Sequence, residues 1–186
     1  MKCRRPARTL MISEMVLPGG PSIAVRYDGR VESPYLKAEV SEAPVGLVIV
    51  NSGGVRNAMT VSLFSEVAHY PIGLWVSIAK DSYTHSLLSA APEFTFVTLH
   101  RGQGGVARAC GTESGRERDK CAGLDLYEGG GGFQFLRDSI ASTACRIKRS
   151  MDLGTHTLHV AEILFGDVTR RSGLPRHLLL SDLAKI

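Results

Sequence analysis

The strongest constraint on the fold is that apolar residues occur in strand-length runs. Residues 45–50 are continuously apolar, as in a strand buried on both faces. Over residues 73–79, Leu74, Val76 and Ile78 alternate with Trp75, Ser77 and Ala79, so each set shares one face of a strand. Similar patterns predict a hairpin at residues 22–32 and strands at 94–98, 141–149 and 157–165.

Helical patterns, in contrast, are short. Asp81 or Ser82 is suited to cap a helix that Pro92 stops. A parallel sheet of repeated βαβ units therefore fits poorly, and a closed or nearly closed antiparallel barrel fits better, because many strands in a small domain must protect their edges. Residues 129–132 are four consecutive glycines, for which we expect a mobile loop tip without regular structure.

The size and composition indicate one globular domain over residues 1–186. The chain is 44% hydrophobic and 22% charged, and no apolar run approaches the ~20 residues of a membrane-spanning helix. We find no signal peptide and expect a cytoplasmic protein. Residues 1–20 have weak periodicity, which is consistent with a flexible extension or with a segment that wraps over a partner subunit.

The charge distribution and the cysteine spacing argue against a nucleic-acid-binding protein and against a metal site. The net charge is +4, but basic residues are dispersed among acidic ones, so nucleic-acid binding is not expected. The four cysteines, Cys3, Cys110, Cys121 and Cys145, lack the spacing of a metal site. We interpret them as free thiols in a reducing compartment and predict no metal.

The first motif consists of small and polar residues after Gly53 and Gly54: Asn57, Ala58, Met59, Thr60, Val61 and Ser62. An extended backbone with such side chains can approach the edge of a planar ligand and match its donors and acceptors. An ordinary strand edge with surface hydroxyls is the alternative.

The second motif joins the end of a strand to the start of a helix through Ser77, Ile78, Ala79 and Lys80. A helix start presents unpaired amides and a positive dipole end, which stabilise a phosphate. Lys80 and the hydroxyls of Ser82 and Thr84 would complete this cradle. A capped helix with a solvated lysine is the alternative.

Two further motifs lie later in the chain. Residues 110–120 contain a Ser-Gly-Arg sequence followed by Asp119 and Lys120, and Lys120 could neutralise an anionic ligand. For Arg116, Arg118 and Asp119 we favour a solvated helical face with internal ion pairs. Residues 154–157 place His156 before a strand, and His159 is a competing candidate.

In this order and spacing, over residues 43–169, the four motifs resemble those of the flavin reductase-like family. In that family an Asn-x-Met-Thr-x-Ser segment lines the isoalloxazine ring. A strand-ending lysine and a threonine four residues later hold the phosphate of flavin mononucleotide (FMN). The histidine of a Gly-Asp-His-Thr segment faces the flavin. This sequence differs at Thr155, which replaces the acid, and at Leu63, Tyr70 and Cys121.

The resemblance implies a mainly β fold, the FMN-binding split β-barrel, which is antiparallel and of Greek-key type with short helices. It implies a homodimer that transfers hydride from NADH or NADPH to FMN, with flavin adenine dinucleotide (FAD) as an alternative flavin. The reduced flavin would serve free flavin, a monooxygenase partner or another acceptor. His156 would be catalytic, and the cofactor-binding residues would be Asn57, Ala58, Met59, Thr60, Val61, Ser62, Ser77, Ile78, Ala79, Lys80, Thr84 and Lys120.

Two other functions are compatible with the same residues. One is an FMN-binding electron carrier or flavin-binding module that does not turn over a nicotinamide. The other is an oxidase of the pyridoxamine phosphate type, which shares the barrel but requires a second basic cluster that the sequence lacks.

Overall fold

The computed structural model describes residues 13–15, 23–25, 42–168 and 176–183. The chain divides into two compact units, Met1–Glu42 and Ala43–Ile186. In the first unit, strand β1 (Ser13–Met15) pairs antiparallel with β2 (Ile23–Val25). The turn and second strand of the hairpin predicted at residues 22–32 lie outside the described residues. One domain over residues 1–186 and a flexible extension at residues 1–20 stay predictions.

The second unit is built mainly from antiparallel strands, as predicted. Its main sheet has the order β4, β3, β7, β10, β11, β6, β5, and every neighbouring pair is antiparallel. A separate hairpin is formed by β8 and β9. The strands are β3 (Gly46–Ser52), β4 (Val55–Val61), β5 (Phe64–His69), β6 (Ile72–Ala79), β7 (Glu93–Thr98), β8 (Leu126–Gly130), β9 (Phe133–Leu136), β10 (Ala141–Asp152) and β11 (His156–Asp167).

The helices are short. They are α1 (Tyr83–Ala90), α2 (Gly104–Thr112) and α3 (Leu180–Leu183), with 3-10 turns at Arg101–Gln103 and Lys120–Gly123. The predicted helix after β6 is confirmed, and its cap is Ser82, whose Oγ accepts a hydrogen bond from the His85 amide at 3.1 Å. In the described part of the chain, no helix has the length and apolar character needed to cross a bilayer.

Strand β3 explains why residues 45–50 are continuously apolar. Leu47 and Ile49 belong to one hydrophobic cluster, which also contains Ala107 of α2. Val48 and Val50 point the other way, into a second cluster. Because successive strand residues face opposite sides, a strand between two cores requires apolar residues at every position. The prediction of burial on both faces is confirmed.

The glycine run at residues 129–132 differs from the prediction. Gly129 and Gly130 belong to β8, so the expectation of no regular structure is wrong for these two residues. Strand pairing uses only backbone groups, and the Phe135 ring fills the space that a Cβ of Gly129 would occupy. Gly131 and Gly132 form the turn, both with positive φ.

Candidate functional site

A cavity of about 380 Å³ lies between β4, the start of α1 and the end of α2. Its wall includes Asn57 and Met59 of β4, Thr84 of α1, Lys120 and residues 110–116. Parts of the first three sequence motifs, which are far apart in the chain, therefore meet around one space.

Asn57 is the most constrained polar residue of this wall. Its side chain is buried, and its Nδ2 donates a hydrogen bond to Thr84 Oγ1 at 2.8 Å. Its Oδ1 is also buried, but no described residue donates a hydrogen bond to it. Gly115 approaches so closely that a Cβ there would collide with Asn57 Oδ1. Asn57 of the cavity wall thus carries a buried acceptor that lacks a donor, and such groups cost about 1–3 kcal/mol when left unmatched.

The start of α1 supplies groups suited to an anion. Ser82 fixes the turn before the helix, since its Oγ donates to the Ala79 carbonyl at 2.7 Å. The first turn contains no acidic side chain to neutralise the positive end of the helix dipole. Thr84 Oγ1 accepts from Asn57 and keeps its own proton for donation.

The alternation of β4 decides which residues of the first motif reach the cavity. Asn57 and Met59 line it. Ala58 is buried in the cluster with Ala107, and Thr60 Oγ1 donates to the Ala107 carbonyl at 2.5 Å, so these side chains face α2. Val61 is buried in the other core cluster. Ser62 follows the strand and is half-buried.

The residues of the second motif are also divided between the core and the cavity wall. Ser77 and Ile78 are buried in β6, and the Ala79 carbonyl anchors the cap of α1. Lys80 is turned away from the cavity wall, and its Nζ contacts Asp152 Oδ1 at 2.5 Å. Of the residues predicted for the phosphate cradle, Ser82 and Thr84 line the cavity.

Lys120 reaches the cavity with its ammonium already partnered. Its Nζ donates to the carbonyl oxygens of Cys110 at 2.9 Å and Glu113 at 3.1 Å. Burial lowers the pKa of Lys120, an effect opposed by Cys110, Cys121 and Glu113. Burial raises the pKa of the Cys110 thiol, so this cavity residue is a neutral thiol at neutral pH.

The interpretation of residues 116–120 as a helical face is wrong, because residues 115–117 form a turn and a 3-10 helix begins at Lys120. Asp119 caps that 3-10 helix through the Cys121 amide. Arg118 does form an ion pair, with Glu113 at 3.1 Å. Arg116 instead lies over the Tyr83 ring at 5.2 Å and lines the cavity. Sequence reasoning missed Arg116 because its partners, Asp81, Tyr83 and Ser86, lie about 30 positions earlier in the chain, at or just before the start of α1.

The two candidate histidines lie on β11, apart from this wall. His156 is half-buried, pairs with Ala79 in the strand register, and has its Nδ1 3.0 Å from Thr155 Oγ1. His159 is buried, with its Nδ1 2.8 Å from Ser150 Oγ. Burial, assisted by the nearby His85, lowers the pKa of His159 to about 4.

Other reactive groups are few in the described part of the chain. Cys110, Cys121 and Cys145 are free and buried, as predicted for thiols, whereas Cys3 lies outside the described residues. Within the described ranges, no group of three or more His, Cys, Asp or Glu residues is placed to bind a metal ion.

The second unit is thus an antiparallel sheet with short helices, and its cavity lies beside the start of α1. The chain belongs to the flavin reductase like domain family, which matches residues 40–181. It is similar to flavoredoxin from Methanosarcina acetivorans, with a TM-score of 0.66 and 22% identity over 71% of this chain and 72% of that chain. The fold is the split barrel of these proteins, as predicted.

Two curated relatives cover comparable lengths. The chain is 26% identical to an NADH-dependent FAD reductase from Streptomyces globisporus, over 69% of this chain and 72% of the relative. It is 30% identical to an NADH:riboflavin 5'-phosphate oxidoreductase from Streptomyces pristinaespiralis, over 67% of this chain and 72% of the relative. Other relatives are longer, and the chain spans 24% of the putative diflavin flavoprotein A 1 from a Nostoc species.

Proposed function

We propose that this protein is an NAD(P)H:flavin oxidoreductase that holds its flavin in the cavity between β4 and α1. The observation that carries the proposal is the buried amide of Asn57, whose Nδ2 is bonded to Thr84 and whose Oδ1 lacks a donor. The pyrimidine edge of a flavin offers an N–H group beside carbonyl acceptors, which is the type of donor that this oxygen lacks.

The rest of the cavity wall fits the same ligand. A flavin nucleotide carries a phosphate, and the start of α1 offers unpaired amides, the Thr84 hydroxyl and no acidic side chain in the first turn. Lys120 adds a half-buried cation to the wall. The wall thus supplies a neutral polar edge and positive groups, beside the carboxylates of Asp81 and Glu113.

A bound flavin would supply the hydride acceptor for NADH or NADPH, and the protein would supply orientation and electrostatics. Asn57 and Thr84 act as one hydrogen-bonded unit that would fix the orientation of the flavin. Lys120 would stabilise negative charge that develops on the reduced ring. His156, which is half-buried at the start of β11, is proposed to contact the nicotinamide.

The relatives support the reaction and suggest the destination of the electrons. Two of them are named for NADH-dependent reduction of FAD or of riboflavin 5'-phosphate. Another is the reductase component of an FADH(2)-dependent resorcinol hydroxylase from a Rhizobium species. We therefore propose delivery of reduced flavin to an acceptor such as a partner monooxygenase, by a cytoplasmic homodimer.

The direct test has two stages. The full chain is first titrated with FMN, FAD and riboflavin, with quenching of flavin fluorescence as the signal. Oxidation of NADH and NADPH at 340 nm is then measured with the best-bound flavin and oxygen as the final acceptor. Absence of binding contradicts the flavin site. Binding without oxidation of either nicotinamide contradicts the reductase and favours an electron carrier.

The variant Asn57→Ala tests the observation itself. We expect flavin affinity to fall about tenfold or more, because a buried hydrogen bond to the ring is lost. Asn51→Ala is the matched control, since Asn51 lies on the neighbouring strand β3, donates to the Gly132 carbonyl and does not line this cavity. Equal flavin affinity of the two variants would remove Asn57 from the site.

A further inference from the structure

A second depression adjoins the cavity of the candidate site. Its walls are residues 54–56 and 115–119, and we call it the arginine groove because Arg56, Arg116 and Arg118 line it. Its volume is about 390 Å³, similar to the 380 Å³ of the cavity. Both spaces share Gly115 and Arg116 as wall residues, so a ligand that fills the cavity can continue into the groove past Arg116.

Arg116 stands at this junction without a carboxylate partner among the described residues. Its guanidinium lies over the Tyr83 ring at 5.2 Å and donates to the Asp81 carbonyl at 3.2 Å and to Ser86 Oγ at 3.3 Å. Tyr83 and Ser86 belong to the first turn of α1 and Asp81 precedes its cap, so Arg116 lies at the end of the helix where the dipole is positive and repels a cation. An anion bound between the helix start and Arg116 would remove this repulsion.

Strand β4 gives the direction of such a ligand. Asn57 and Met59 line the cavity, whereas Val55 and Arg56, earlier on the same strand, line the groove. A ring placed along the later residues of β4, with its phosphate at the start of α1, has its phosphate end directed toward the groove. Any extension attached to that phosphate would cross Arg116.

The groove beyond Arg116 has mixed charge, which suits a nucleoside better than a lone phosphate. Arg118 is paired with Glu113 at 3.1 Å, and Arg56 with Asp119 at 3.6 Å. Carboxylates such as those of Glu117 and Asp119 accept hydrogen bonds from ribose hydroxyls. Guanidinium planes stack on nucleobases.

We propose that the arginine groove receives the adenylate half of a flavin dinucleotide and that Arg116 binds its second phosphate, so that the protein prefers FAD to FMN. The inference rests on the proposed flavin site and extends it to the choice of flavin. Riboflavin, FMN and FAD share the ring and differ only in the part that reaches α1 and the groove.

The test compares dissociation constants of the full chain for FAD, FMN and riboflavin by isothermal titration calorimetry. We expect FAD to bind at least about tenfold more tightly than FMN, because the second phosphate adds one charge-assisted hydrogen bond to Arg116. Arg116→Gln should weaken FAD about tenfold more than FMN. Arg118→Gln, which removes a groove residue and also unpairs Glu113 of the cavity wall, should weaken FAD more than FMN.

Arg146→Gln is the matched control, because Arg146 is an exposed arginine paired with a glutamate, Glu93, at 2.8 Å, as Arg118 is with Glu113. It lines neither the cavity nor the groove. The FAD to FMN affinity ratio should be unchanged in this variant. Arg116→Lys keeps the charge and should recover part of the FAD affinity that Arg116→Gln loses.

Two results overturn the inference and leave the flavin site intact: equal affinity of the unmodified protein for FMN and FAD, or an unchanged FAD to FMN ratio in Arg116→Gln. Absence of binding by all three flavins overturns the inference and the proposed function together.

Discussion

Asn57 and His159 are both buried polar residues, and each has one hydrogen-bonded atom and one atom that no described residue matches. Their surroundings differ. Asn57 lines a cavity and carries an amide that does not titrate. His159 lies on β11 beside Ser150 and 6.1 Å from the His85 ring, and it responds to burial by losing its proton.

The comparison shows that an unmatched buried polar atom has different consequences in different surroundings. Where a cavity adjoins it, as at Asn57, a ligand can supply the missing partner. Where it is packed in protein and titratable, as at His159, the cost of burial is expressed as dependence of stability on pH.

The largest expected effect concerns His159. Its pKa is about 4 in the folded protein and about 6.5 in the unfolded chain, so the unfolded state binds the proton more tightly. The contribution of neutral His159 to the free energy of unfolding is therefore complete above pH 6.5, and it is lost as the pH falls from 6.5 toward 4. We expect this single group to account for about 3 kcal/mol of the free energy of unfolding.

Urea unfolding of the native protein and of His159→Gln at several pH values between 7.5 and 4 measures this effect. Other groups titrate in both proteins, so the informative quantity is the difference between their pH dependences. Identical dependences would show that His159 titrates normally, and the contrast with Asn57 would then disappear.

The second prediction concerns the approach of Gly115 to Asn57. In Gly115→Ala the new Cβ would collide with the Asn57 amide and lie 3.0 Å from Cδ1 of Tyr83. We expect the free energy of unfolding to fall by about 1–3 kcal/mol, because overpacking displaces buried groups. Flavin binding should weaken as well, since the displaced amide forms the cavity wall.

Gly105→Ala is the control for this variant. Gly105 lies in α2, and a Cβ there would have no heavy atom within 4 Å. The substitution should leave stability unchanged or raise it by up to about 1 kcal/mol through helix propensity. Thermal unfolding of both variants, with a flavin titration of each, separates close packing at the cavity from a general intolerance of alanine.

The smallest expected effect concerns the hydrogen bond between Asn57 and Thr84. Thr84→Val keeps the shape of the side chain but leaves Asn57 Nδ2 without its acceptor at 2.8 Å. We expect a loss of about 1 kcal/mol in stability, and about 1–3 kcal/mol in FMN affinity if the hydroxyl also binds the phosphate.

Thr84→Ser retains the hydroxyl, so it should keep most of the stability and most of the FMN affinity that Thr84→Val loses. Chemical unfolding and FMN titration of the two variants measure them in parallel. Unchanged FMN affinity in Thr84→Val would remove Thr84 from the phosphate site, even if stability falls.

Much of the fold could be predicted from local patterns. Strand β3 is apolar at every position because it lies between two cores, and Ser82 precedes α1 because a helix start needs a side-chain acceptor. Local rules left both readings open for the motifs of Asn57 and Thr84, and the resemblance to the flavin reductase-like family made these two residues site candidates. Neither predicted that only alternate residues of β4 reach the cavity.

The remaining features depend on tertiary contacts that no local pattern encodes. Lys80 is separated from the cavity wall because the β10–β11 turn brings Asp152 to it. Arg116 belongs to the wall because the turn at residues 115–117 folds onto α1. The bond between Asn57 and Thr84 spans 27 positions of the chain, and Gly115 closes over the same amide.

The sequence by itself determined the strand-rich fold and the capped helix after β6, because these depend on periodicity and on side-chain chemistry. Its resemblance to the flavin reductase-like family supplied the set of candidate flavin-binding residues. The tertiary structure decided which members of that set face one cavity, and it left Arg116 and Lys120 of the cavity wall without an ion pair among the described residues. Those properties depend on distances between segments that are far apart in the chain, and a periodic pattern contains no such distances.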